Sequence, residues 1–230
     1  DAHEYASERQ GLTPRARILN RMIEDWLIRR TDKVITVSDS IALEYARLYN
    51  IAKPELVLNC PPFEAVSRQD RFRQTLGIRP DQTIFLYQGG LSKGRGIEML
   101  LDAFAQLDSD RIVLVVMGYG ALESQIKAAA ERSPTIFFHP AVAPDILLNY
   151  TASADYGILY YEDTCLNHRY CSPNKIFEYF MAGIPVVVSN LFEMKRLVET
   201  LGVGVVAEEN TPRGFLDAIA RVQTLDYPLL

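Results

Sequence analysis

Long apolar runs are missing from this chain of 230 residues. No window approaches the roughly 18 consecutive apolar residues of a bilayer-spanning helix. The opening DAHEYASERQ also lacks the apolar segment of a secretory signal, so a cytoplasmic setting is expected. Cysteine is scarce: Cys60, Cys165 and Cys171 are an odd number without a C-x-x-C pair, which argues against a disulfide framework or a zinc knuckle. There is no basic excess. A formal net charge of -5 and a pI near 5.3 argue against a nucleic-acid-binding role, which depends on a broad basic face. With 13 Gly and 12 Pro, no low-complexity segment and no internal repeat, fibrous and disordered classes fall away.

What is present is an ordinary globular composition, 48% apolar and 23% charged, on a length that suits one large α/β domain or one domain and part of another. From Thr83 onward, apolar β-branched and aromatic runs alternate with helical patterns. TIFLYQ, RIVLVVMG, TIFFHP, ADYGILYY, IPVVVS and VGVVAE read as strands covered on both faces. Helices are expected near 96–107, 121–132, 144–152, 174–182, 191–199 and 211–222. Such alternation predicts an α/β fold with a doubly wound parallel sheet, in which ligands bind beyond the carboxyl ends of the strands. The first sixty or so residues differ: TPRARILNRMIEDWLIRR reads as a long amphipathic helix, DKVITVS as a strand, SIALEYARLYN as a helix and PELVLN as a strand. CPPFEAVSRQDRFRQTLGIRPD, with paired prolines and many charges, reads as a connection. The expected division is therefore 1–61, a linker at 62–82, and 83–230.

Three stretches carry chemistry. In CSPNKIFEYFMAGIPVVVS, Ser172 and Pro173 are suited to opening a helix, Ser as a cap and Pro at the first helical position. Its amino end suits a phosphate, and Lys175 adds a full positive charge there. Glu178 lies three residues on, roughly 4.5 Å along the axis at about 1.5 Å per residue, an offset like that between the phosphates and ribose of a nucleoside diphosphate. On spacing alone, a surface Lys-Glu pair is the better account. In YQGGLSKGRGIEMLLDAF, four glycines including Gly89 and Gly90 surround Lys93 and Arg95 where a strand yields to a helix. The spacing is neither G-x-G-x-x-G nor a P-loop. In VMGYGALESQIK, Gly118 and Gly120 occupy the equivalent place after the next strand. Two glycine turns and a charged helix start on one sheet edge favour a binding site over three unrelated surface features.

The order of YQGGLSKGRGIEMLLDAF, VMGYG, HPAVAPDILLNYTASADYGILYY and SPNKIFEYFMAGIPVVVSN resembles the nucleotide-sugar-binding C-terminal domain of retaining GT-B glycosyltransferases of family 4, over about residues 80–222. DAHEY and the helix and strand after it resemble the end of the N-terminal, acceptor-binding domain of those enzymes. The resemblance implies transfer of a sugar from a UDP- or GDP-sugar, with retention and without a bound metal ion or other cofactor. The acceptor it implies is a glycan or lipid-linked molecule of cell-surface polysaccharide synthesis. Where the family often has Arg, this chain has Gly90; where it has Lys, this chain has Arg95. Arg95 and Lys175 then carry the diphosphate, with Lys93 as a substitute. Of the family's two Glu residues with seven between them, Glu178 matches the second, which receives the ribose hydroxyls, and Tyr170 stands in place of the first. Tyr170, Cys171, Ser172, Pro173 and Asn174 are expected around the donor sugar, Val142 and Ala143 near the base, and His3 in the place of an active-site His. His139 and His168 need no chemical role, and Asp108-Ser109-Asp110, ahead of a strand, reads as a turn on the opposite edge.

Arg15, Arg17, Arg21, Arg29 and Arg30 around an apolar stripe in the first helix allow peripheral contact with the inner face of a membrane, but Glu24 and Asp25 dilute that reading and favour a packed helix with solvated charges. Relative to a complete enzyme of this architecture, most of the N-terminal domain is missing from the chain, so a fragment is expected. The alternatives are a non-catalytic nucleotide-sugar-binding module and a sugar-nucleotide epimerase of the same fold.

Overall fold

The structure, a computed structural model, describes residues 4–227, so His3 lies outside the described residues. The chain divides into two compact units, one made of 1–60, 163–174 and 191–197, the other of 61–162, 175–190 and 198–230.

The smaller unit holds helix α1 (Pro14–Ile28), strand β1 (Ile35–Thr36), helix α2 (Asp39–Tyr49) and strand β2 (Glu55–Leu56). Thr13 caps α1, its hydroxyl accepting from the Ala16 amide, and Pro14 takes the first helical position. Strands β1 and β2 pair in parallel, Ile35 opposite Glu55 and Thr36 opposite Leu56. Both are only two residues long, shorter than the runs DKVITVS and PELVLN suggested. The core of this unit is aromatic: Tyr5, Tyr45 and Tyr49 are buried, with successive rings edge-on at 5.4 Å. Buried Glu8 is paired with Arg17 and Arg21, and Glu24 accepts from the hydroxyls of Tyr45 and Tyr49. A short helix, α7 (Leu166–Tyr170), was not anticipated in the sequence; it packs against this core through Leu166 and Tyr170.

The larger unit is the α/β sheet. After α3 (Arg71–Leu76) run β3 (Thr83–Gly90), α4 (Ile97–Ala105), β4 (Ile112–Tyr119), α5 (Glu123–Arg132), β5 (Ile136–Pro140), α6 (Pro144–Thr151) and β6 (Tyr156–Leu159). Then come α8 (Asn174–Met181), β7 (Val186–Val188), the end of α9 (Phe192–Leu201), whose residues up to Leu197 belong to the smaller unit, β8 (Gly204–Val206) and α10 (Pro212–Val222). The six strands pair in parallel in the order β5-β4-β3-β6-β7-β8. All six predicted strands are present, and the apolar runs are buried on both faces as expected: Ile84–Tyr87 and Val113–Val116 have no exposed surface. Helix α3, with Phe72 fully buried, falls inside the charged stretch read as a connection.

Strand order reverses between β3 and β6, because the chain steps outward from β3 to β4 and β5 and then returns to the other side. That reversal opens a crevice at the carboxyl ends of β3 and β6. Helix α8 is fixed to it by Tyr179, which is wholly buried. Its hydroxyl contacts the carbonyls of Leu86 on β3 (3.0 Å) and Ile158 on β6 (3.1 Å) and accepts from the Gln88 amide (3.3 Å). Gly157 makes room for the ring, since a Cβ there would lie 2.6 Å from it.

Candidate functional site

The carboxyl edge of the larger unit gathers most of the residues singled out in the sequence. β3 ends in Gly89-Gly90 beside Gly118-Tyr119 of β4, Gly89 opposite Gly118. A Cβ on Gly118 would meet the Gly89 carbonyl at 1.9 Å, and one on Gly120 would meet the Leu91 carbonyl at 2.5 Å. These two glycines therefore let the β3–α4 and β4–α5 loops pack on each other, which the Leu91 amide to Tyr119 carbonyl bond (2.9 Å) and the Leu122 amide to Leu91 carbonyl bond (3.0 Å) then fix. Gly89 has a different neighbour. With φ of +119°, its missing Cβ would lie 3.0 Å from Lys175 Nζ, so the amine rests directly over this backbone.

Aromatic faces hold the two cations. Lys175 Nζ is 4.6 Å from the Tyr87 ring centre and 5.8 Å from that of Tyr161, and the Arg95 guanidinium stands 4.2 Å over Tyr161. Tyr87 is in turn fixed by its hydroxyl, which donates to the Gly90 carbonyl at 3.0 Å. Burial raises the Tyr87 hydroxyl well above its ordinary pKa, against an opposing effect of Arg95, so the ring remains a neutral platform. Lys93 is exposed in the same turn. Gly90 is also exposed, and a Cβ there would have nothing within 4 Å.

Glu178 lies one turn along α8 from Lys175. Burial pushes its carboxyl above the usual Glu value; the Gln88 hydrogen bond and the nearby Lys175 charge act in the opposite direction. Gln88 Nε2 donates to Glu178 Oε2 at 2.6 Å. Val142 and Ala143 follow β5 on the same edge, where the Ala141 amide donates to the Gly118 carbonyl at 3.1 Å.

Tyr170 through Asn174 fall in the smaller unit. Ser38 Oγ donates to the Tyr170 carbonyl at 2.6 Å, and the Tyr170 ring stands edge-on to Phe192 at 6.2 Å. Cys171 Sγ donates to the His168 carbonyl at 3.3 Å. α8 begins at Asn174, as expected for the 174–182 helix, but Pro173 stands just ahead of it and not at its first position. Ser172 does not cap it, for its buried hydroxyl has no hydrogen-bond partner among the described residues.

The remaining polar candidates are structural. His139 Nδ1 is 2.7 Å from the Pro140 carbonyl, and its ring packs against Phe72 and Tyr150. Asp110 pairs with Arg79 at 2.9 Å, and Ser109 Oγ accepts from the Arg111 amide, a turn at the amino edge of β4. A groove of about 470 Å³ at that edge, lined by Asp102, Asp110, Arg132 and Thr135 among others, has no counterpart of the glycine turns and paired cations. The sequence reading missed Gln88, Thr151 and Tyr179, which complete the carboxyl edge from within strands and helices, and Tyr161 in the loop after β6. Only an amide ending an otherwise apolar strand could have drawn attention to one of them.

The family described as glycosyl transferases group 1 matches residues 82–224, which covers this edge and the sheet behind it. Among individual relatives, the lipopolysaccharide 1,2-N-acetylglucosaminetransferase of Salmonella typhimurium is 31% identical over 141 residues, 55% of this chain and 37% of that protein. The putative glycosyltransferase EpsD of Bacillus subtilis is 29% identical over 122 residues, 48% of this chain and 31% of that protein. The chain thus spans about a third of the length of these curated relatives. In solved structures the fold recurs in sucrose-phosphate synthase from Thermosynechococcus elongatus, with a TM-score of 0.73 at 18% identity over 93% of this chain and 55% of that one. It recurs in Anabaena HepE in complex with UDP and glucose, with a TM-score of 0.70 at 17% identity over 90% of this chain and 57% of that one. The six-stranded parallel sheet is that of GT-B glycosyltransferases, and the chain belongs to the group 1 glycosyl transferases.

Proposed function

We propose that the carboxyl edge of the larger unit binds the nucleoside diphosphate of a sugar donor, as part of a retaining family 4 glycosyltransferase. The observation that carries this reading is the pairing, one helical turn apart on α8, of the Lys175 amine resting over Gly89 and the half-buried Glu178 carboxylate. Lys175 and Arg95 lie near a shared aromatic ring, so two positive charges are presented to one place, and a diphosphate needs that arrangement. Their work in the reaction is to stabilise charge as the diphosphate leaves. Lys93 adds a third cation from the turn, Glu178 accepts from the ribose hydroxyls, and the base lies near Val142 and Ala143. HepE, solved with UDP and glucose, supports a UDP-sugar as the first donor to test.

On resemblance alone, Tyr170, Cys171, Ser172, Pro173 and Asn174 are assigned to the donor sugar and His3 to the reacting centre. The same resemblance assigns 1–61 to the end of an acceptor-side domain, 62–82 to a linker and 83–230 to the donor domain. It also assigns transfer without a metal ion, to a glycan or lipid-linked acceptor of cell-surface polysaccharide synthesis on the cytoplasmic side. Among the described residues no helix is long and apolar enough to cross a membrane. Peripheral contact rests on the exposed stripe of Ile18, Leu19, Met22, Ile23 and Trp26 on α1, and co-sedimentation with anionic vesicles is its test.

The decisive experiment is calorimetry with UDP, GDP and ADP on wild type, Lys175→Ala and Arg95→Ala. Each variant is expected to lose about tenfold or more in affinity for the nucleotide that binds, the scale of a hydrogen bond to a charged group. Unchanged affinity in both variants would overturn the assignment. Product analysis with the corresponding nucleotide sugar then separates transfer with retention from epimerisation or binding without turnover.

A further inference from the structure

A buried primary amide is expensive unless both its ends are matched, and Gln88 is 2% exposed. Its two ends are matched by different elements. Thr151, fully buried at the end of α6, donates from Oγ1 to Gln88 Oε1 at 2.9 Å and lies 3.0 Å from the Leu147 carbonyl. The single Thr151 hydroxyl proton has two acceptors in reach; when it points at Oε1 it holds the oxygen end of the amide, and the acceptor-only Glu178 carboxylate requires the other end to be Nε2. It faces Glu178, 2.6 Å from Oε2.

We propose that Thr151 and Gln88 are positioning residues, a relay that fixes the Glu178 carboxylate as an ionised acceptor for a vicinal diol, the ribose of the nucleotide. This rests on the nucleotide reading above and adds to it the device that makes Glu178 competent. A diol offers two O–H donors, so only a carboxylate that accepts, and does not itself hold a proton, can receive both. Burial works against that state, and the relay opposes burial with a donor that carries no competing charge. Gln88 occupies Oε2, which directs the ligand to Oε1. The charged group facing this carboxylate is Lys175 on the same helix. The neighbouring hydroxyls of Tyr87 on β3 and Tyr179 on α8 are held neutral by burial. Without Thr151 the buried Oε1 loses its donor and only Glu178 still holds the amide, so the Nε2 bond to the carboxylate is less firmly placed.

The test uses two readouts on the same proteins. In the ligand-free state, carbon-13 NMR follows the Glu178 side-chain carboxyl through a pH titration in wild type, Thr151→Val, Thr151→Ser and Gln88→Leu. Calorimetry then compares UDP, GDP and ADP with their 2′,3′-dideoxy forms. Thr151→Val and Gln88→Leu are expected to raise the Glu178 midpoint by about one pH unit and to cut the preference for the diol about tenfold. Thr151→Ser restores both. Loss of affinity for the dideoxy forms to the same extent would mark simple packing damage, and a midpoint unmoved in both variants would overturn the relay. If the midpoint moves but wild type shows no preference for the diol, the relay holds and the ribose assignment of Glu178 falls.

Discussion

Gly90 is the residue at which this chain departs most informatively from the pattern its family resemblance implies. Its neighbour Gly89 is constrained, with φ of +119° and the Lys175 amine where a side chain would begin. Gly90 has open space around it and no comparable strain. An arginine there is therefore expected to be accommodated, changing stability by no more than about 0.5 kcal/mol, as for other exposed substitutions. If the diphosphate lies over this turn, Gly90→Arg should also tighten nucleotide binding about tenfold, read by calorimetry and steepest at low salt. A stable variant with no gain would place the phosphates elsewhere. The same scale shows what a sequence can disclose. Lys175 and Glu178 were legible because their chemistry needs only their spacing along one helix. Gln88 and Thr151 were not, because their partnership spans 63 positions and exists only once β3 and α6 are packed. The glycines were legible as turns, but not that Gly118 and Gly120 make room for the neighbouring loop, which only the packed structure discloses.

At the scale of elements, the position of α8 is set by one side chain that bridges two strands. Tyr179 spans the reversal in strand order, its hydroxyl within hydrogen-bond distance of the backbone at Leu86, Gln88 and Ile158. Tyr179→Phe keeps the ring and removes only the oxygen, so it should destabilise the protein by roughly 0.5–1.5 kcal/mol, measured as a lower denaturation midpoint at constant m. Because Glu178 precedes Tyr179 on the same helix, nucleotide affinity should fall as well. Elements with continuous apolar runs were readable from composition, and all six strands of the large sheet stand where those runs lie. Elements that depend on partners were not. DKVITVS pairs for only two residues, with β2, and α3 is concealed among charges that solvate one side while Phe72 buries the other.

For the molecule as a whole, Glu178 couples folding, proton binding and ligand binding with opposite signs. Its carboxyl is held above the ordinary Glu value of 4.5 in the folded state. Between that value and the raised one, the folded protein binds more protons than the unfolded chain, so this residue's contribution to stability falls as pH rises through the window. Below the window it is fully present, and above the window the loss is complete. Ligand binding runs the other way, because the diol needs the carboxylate: the stabilisation conferred by nucleotide should grow across the same window. At about 100 times Kd that stabilisation approaches roughly 2.7 kcal/mol. Thermal melts at closely spaced pH values, with and without nucleotide, on wild type and Glu178→Gln isolate the residue from other carboxylates by difference. The wild-type minus variant curve is expected to slope down without ligand, and the ligand-induced shift to rise with pH in wild type and stay flat in Glu178→Gln. Parallel curves for the two proteins in both conditions would mean that Glu178 ionises without consequence for folding or binding, and that the nucleotide meets its carboxylate elsewhere.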